Sequence, residues 1–209
     1  MLKKILITIL LISKFSFAQE MPILSGIGGE FSAISSMTGK EIKFSKFKGK
    51  VVLLSFGYTN CSDICPFTLG YLQHLYAKLT AKEKQQIRVI FVTVDPEYDT
   101  PKHLKEFMQH FNKNFIGLTG SKQTIKKITD LFQAEYSKLA ETSIPTEYIR
   151  RVNQKTFNNE VEKKADKSSL FSHTVAIYLI DKMGNTRSLE YTGTATKKFI
   201  EKIQVLIDE

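Results

Sequence analysis

Tryptophan is absent from this chain, and cysteine occurs only twice, at Cys61 and Cys65. A bridge between cysteines three residues apart would close almost no loop, so a structural staple is a poor use for them. The lysines, as in Lys122, Lys126-Lys127, Lys163-Lys164 and Lys197-Lys198, are dispersed without interleaved aromatics. That pattern describes solvated helix faces and no nucleic-acid partner, leaving at most weak attraction to an anionic membrane surface. There is no internal repeat and no compositional extreme, which excludes a fibrous or largely disordered chain. What is present is 42% apolar content in 209 residues, enough for the core of one domain.

The first residues have a different character. Lys3 and Lys4 precede an uncharged apolar run from Ile5 to Ile12, and Ser16-Phe17-Ala18 ends the segment. A basic start, a short apolar stretch and a small-x-small ending read as a secretory signal over residues 1–18, cut after Ala18. The mature domain is then 19–209, exported to the periplasm, or anchored in the inner membrane if the signal is retained. Lys14 breaks the run well short of the roughly 20 apolar residues that spanning needs. Without Lys3, Lys4 and Lys14 the 30 basic side chains fall to 27 against 21 acidic ones, an excess of about +6 instead of +9.

Along the mature chain, strand and helix patterns alternate. Residues 19–30, with Gly26, Gly28 and Gly29, read as a mobile lead-in. Segments 31–37 and 41–44 flank Thr38-Gly39-Lys40 and predict a hairpin. Val51 to Gly57 is a short, nearly continuous apolar run suited to a strand buried on both faces, and Ile87 to Val94 is a second candidate. Between them Leu69, Leu72, Leu75 and Leu79 recur at helical spacing, predicting a helix over 66–80 with Pro66 in its first turn. A helix opening at Pro101, capped by Thr100 or Asp99, a strand at 115–119 and a helix capped by Ser121 follow. From about 137 to 169 the pattern fails in a polar stretch read as a surface insertion. A strand over 174–180, a turn at 181–185, a hairpin partner over 187–191 and a helix over 196–208 close the chain. The fold class is α/β: a thioredoxin-like mixed sheet flanked by helices, with an added N-terminal hairpin.

Cys61 and Cys65 fall just beyond the carboxyl end of the first buried strand, where such sheets form a crevice. Because Cys65 precedes Pro66, it is expected in the loop and cap entering the helix. Free N–H groups at a helix start favour thiolate over thiol, which suits nucleophilic, redox and metal chemistry alike. Two thiolates select a soft ion, copper(I) or zinc, and require a further ligand. Of His74, His103, His110 and His173, the first three read as solvated helix residues. His173 instead precedes the last core strand, which in a thioredoxin-like topology lies beside the first one, with its entrance facing the cysteine loop. A structural zinc site would normally be closed by four protein ligands, and no fourth Cys or His is obvious.

Four motifs carry a resemblance: Gly57-Tyr58-Thr59-x-Cys61-x-Asp63-x-Cys65-Pro66, Asp95-Pro96-x-x-Asp99-Thr100-Pro101, Gly117-Leu118-Thr119-Gly120, and His173-Thr174 opening an apolar strand. In this order the chain resembles the Sco/SenC family of copper-binding thioredoxin-fold proteins. The resemblance implies that Cys61, Cys65 and His173 bind one copper ion. It also implies a partner, the cytochrome c oxidase subunit carrying the copper A site, with another periplasmic copper chaperone as a further one. Asp95 matches the family's acidic residue near the site, and turn formation is an equal reason for it. Tyr58 and Asp63 match as well, with loop shaping a sufficient role. The stretch 137–169 departs from the family in looking longer and more basic.

The rival function is a thiol-disulfide oxidoreductase using the Cys61/Cys65 pair. General exchangers use Cys-x-x-Cys and place a cis-proline where this chain has His173-Thr174. A reductase dedicated to the oxidase's own cysteines stays compatible with copper binding. The Thr-x-x-Cys pattern of a thiol peroxidase is not clearly met.

Overall fold

A computed structural model describes residues 21–138 and 171–209. The signal expected over 1–18 and nearly all of the insertion expected over 137–169 lie outside the described residues. A seven-stranded mixed sheet forms the centre, in the order β2-β1-β5-β4-β3-β8-β9. Its parallel heart is β3 (Val51–Gly57), β4 (Ile87–Thr93) and β5 (Ile116–Thr119). The run Val51 to Gly57 is buried throughout, as expected of a strand covered on both faces. The hairpin β1 (Ser32–Ser35) and β2 (Glu41–Lys43) adds antiparallel to β5, turning through Gly39 at φ +68°. At the other side β8 (Ile177–Ile180) runs antiparallel to β3, and β9 (Thr186–Glu190) pairs with β8. Flanking helices are α1 (Ile64–Lys78), α2 (Ala81–Gln86), α3 (Pro101–Gln109), α4 (Lys122–Leu131) and α5 (Thr196–Asp208). The expected caps are present: Thr100 accepts from the His103 N–H and Ser121 from the Thr124 N–H. None of the helices among the described residues is long and apolar enough to cross a membrane.

Four expectations are corrected. The lead-in is not mobile from residue 21 onward. Leu24 N–H donates to the Thr186 carbonyl (2.8 Å), Gly28 N–H to the Leu131 carbonyl (2.6 Å), and Arg187 Nε to the Met21 carbonyl (2.7 Å). Buried Arg187 also holds Asp181 and Glu209, so it binds both ends of the described chain together. Helix α2, absent from the periodic pattern, is a single polar piece set by a reciprocal cap between Thr80 and Glu83. The last core strand begins at Ile177 rather than 174, because Phe171–His173 form a separate strand, β7, paired with β6 (Tyr136–Lys138). This two-stranded ribbon brackets the insertion. Finally, Cys65 lies inside α1 and not in the loop before it.

Candidate metal centre

The parallel strands aim their carboxyl ends at one edge of the sheet, and β8 starts there as well, with Ile177 opposite Ser55. The loop after β3 thus meets the segment that enters β8. Cys61 is buried in the first, and Cys65 in the opening turn of α1. Pro66 is tolerated there because first-turn N–H groups lack intrahelical partners anyway. The bias of a residue before proline is overridden by packing: the Cys65 sulfur sits under Gly57, where a Cβ would come within 2.9 Å of it and 2.7 Å of the Phe91 ring.

His173 reaches the pair from the ribbon. Its Nε2 is 3.3 Å from Cys65 Sγ, and its Nδ1 is 3.1 Å from the Thr174 carbonyl. A carbonyl only accepts, so Nδ1 carries a ring proton, and Nε2 is the nitrogen that faces the sulfurs. Cys61 lies near enough to both Cys65 and His173 for their side chains to bear on its titration, which completes a group of three donors. The two thiols titrate apart. Cys65 as donor holds Cys61 well below the usual thiol range, against the effect of burial, with help from His173 and the Asp63 and Cys65 N–H groups. Cys65 is pushed up by that same bond to Cys61, then by burial and the neighbouring thiolate, while the Tyr58 N–H works the other way.

Two clamps fix the loop. Tyr58 is buried; its Oη accepts the Phe171 N–H (3.2 Å), and its ring stands edge-on to Phe171 and His173 at 5.4 and 6.0 Å between centroids. Asp99, fully buried, accepts from the Thr59 N–H (3.1 Å) and from the hydroxyls of Thr59 and Thr93. Burial first pushes the Asp99 carboxyl up, against those hydrogen bonds and the His103 charge. In the Asp95-Pro96-x-x-Asp99 motif, therefore, the second aspartate ties the cysteine loop to the β4–α3 loop. Asp95 is buried and its carbonyl accepts the Asp99 N–H, which is the turn-forming role. Sequence reasoning gave Asp99 only a capping role; its spacing four residues after Asp95 was the available signal. Asp63 stands exposed at the start of α1.

The other histidines lie apart. His74 and His110 are exposed, while His103 is half-buried against Tyr98 with Nδ1 3.9 Å from Asp99. Among the described residues no three Cys, His, Asp or Glu side chains are already spread around one point. Cys65 and His173 touch instead, with Cys61 close by, and a small outward step suits them to an ion. With bonds of about 2.3 Å to sulfur and 2.0 Å to nitrogen, a trigonal ion holds S and N roughly 3.7 Å apart. The Cys65–His173 pair at 3.3 Å would open by only a few tenths of an ångström. Two soft sulfurs and one imidazole fit copper(I). A cavity of about 710 Å³ lies between α4 and the ribbon, with His173 and Thr174 on its wall.

Comparison with known proteins agrees with this architecture. Residues 20–149 match the model of the SCO1/SenC family. An SCO2-like protein of Rickettsia conorii is 33% identical over 175 residues, covering 84% of this chain and 74% of that one. The structure of Bradyrhizobium japonicum ScoI with copper bound superposes with a TM-score of 0.68 at 25% identity, covering 86% of this chain and 99% of that one. Apo Sco1 of Thermus thermophilus gives 0.67 at 27% identity, over 88% and 94% of the two chains. The chain belongs to the SCO1/SenC family, and its sheet and helices form the family's thioredoxin-like fold.

Proposed function

We propose that this chain is a copper metallochaperone that binds one ion through Cys61, Cys65 and His173 and passes it to the copper A site of a cytochrome c oxidase. The observation that carries the reading is the contact between His173 Nε2 and the sulfur of Cys65, across 108 residues of sequence. Copper bound in ScoI of Bradyrhizobium japonicum and of Arabidopsis thaliana supports the choice of ion. Copper is cargo here. Three donors leave one side of the ion open, so an incoming ligand can attack before the old ones leave. The half-buried imidazole at the cavity wall offers that side to a partner, an oxidase subunit or a second copper carrier. The basic, apolar and small-x-small character of residues 1–18 supports export to the periplasm, with the inner membrane as the location if the segment is kept.

The anaerobically purified, reduced mature chain is expected to bind about one copper(I) in competition with a chromophoric chelator. Cys61→Ser, Cys65→Ser and His173→Ala should each weaken binding severely, and cells carrying them should lose oxidase copper. Full copper binding by His173→Ala together with strong reduction of insulin disulfides would instead assign the pair to thiol-disulfide exchange.

A further inference from the structure

We propose that Tyr58 is the positioning residue that sets His173 against the sulfur pair; the proposal rests on the reading of His173 as a copper ligand. One residue touches both halves of the site. Its carbonyl accepts the Cys61 N–H at 3.3 Å, so its backbone belongs to the cysteine loop. Its phenol belongs to the ribbon, through the Phe171 N–H at 3.2 Å and the edge-on contact with the His173 ring. The other anchor of this segment has a different reach. Thr174 N–H donates to the Glu135 carbonyl (2.9 Å) and Glu135 N–H to the Thr174 hydroxyl (3.0 Å), which fixes the ribbon's own register at its base. That bond does not set how far the ribbon stands from the sulfurs. Tyr58 sets it, because this buried residue directly follows the fully buried strand β3 while its oxygen carries β7. Beyond the ribbon's own pairing, β7 is tied to the cysteine loop through the one hydrogen bond and the ring edges of Tyr58, so the imidazole can part from the ion while both sulfurs stay in place. The phenol thereby controls the release of the imidazole.

Tyr58→Phe deletes only the oxygen and keeps the ring and backbone contacts. Copper(I) affinity, read by chelator competition, should fall roughly tenfold. In the His173→Ala background the same change should cost less than about twofold, since the coupling runs through the imidazole. Equal losses in both backgrounds, or no loss with His173 present, would overturn the proposal. The metal-free protein gives a second readout. In Tyr58→Phe the Phe171 amide should exchange faster and the His173 ring nitrogens should shift. Unmoved His173 resonances would also overturn it. If His173→Ala alone left copper affinity intact, the copper-ligand reading would fail, and the metal-free spectra would decide the role of Tyr58 by themselves.

Discussion

The two halves of the candidate site are built in opposite ways. The cysteines hang from β3, whose seven residues are all buried and which pairs with β4 through seven consecutive positions. The histidine rides on a ribbon of three paired positions whose Phe171, Ser172 and His173 are half-buried, exposed and half-buried. The sulfurs are therefore set by the core and the imidazole by a few individual contacts. A carrier gains from this arrangement: two donors keep the ion while the third is free to change.

Substitutions should separate the halves. The largest expected effect on stability is Leu53→Ala, at a fully buried position paired on both sides with Val89 and Leu179. It should cost about 2–5 kcal/mol in denaturant unfolding. Copper affinity of the folded protein should stay within about twofold, since the site is several residues away. Gly57→Ala is the next, at the point where core and site meet. Its Cβ would press on the Phe91 ring and the Cys65 sulfur, costing about 1–3 kcal/mol, and it should weaken copper binding as well. Undisturbed copper binding in a destabilised Gly57→Ala protein would mean that the core does not set the sulfur.

The ribbon should show the converse. Thr174→Val removes the hydroxyl that accepts the Glu135 N–H, and its cost to global stability should stay near 0.5–1.5 kcal/mol or about that. Copper release, followed by transfer to a chelator, should accelerate more than unfolding does. At the remote end of the sheet the expected effect is smaller and depends on pH. Burial opposes ionisation of Asp181, yet the Asn185 N–H, Arg187, the Asn185 side chain and the Met183 N–H hold its carboxyl below the ordinary 3.8. A depressed folded value stabilises above the unfolded one and is lost as pH falls through it. Asp181→Asn should thus lower the melting temperature at pH 7, with the difference shrinking as the pH drops below 3.8. A constant difference across that range would remove the carboxylate from the explanation.

How much could be read from sequence follows the same division. The strands β3 and β4 stood out as apolar runs, and Pro101 and Ser121 marked helix starts, because these signals are local. The cysteine loop was legible for that reason. His173 was legible only through topology, since β8 had to lie beside β3 for its entrance to face the cysteines. The ribbon was not, as three-residue strands carry too little periodicity and their partners stand 33 to 37 residues apart in the chain. Docking of the lead-in was also hidden, because Arg187 reaches Met21 across 166 residues and no local pattern reports that. Asp99 was taken for a cap because its hydrogen-bond partner Thr59 lies 40 residues back.

X-ray absorption of the reduced, copper-loaded protein tests the central claim most directly, by counting the atoms bound to the ion. The account predicts two sulfurs and one imidazole nitrogen, with the nitrogen lost in His173→Ala. A spectrum with sulfur alone, unchanged by that substitution, would contradict it.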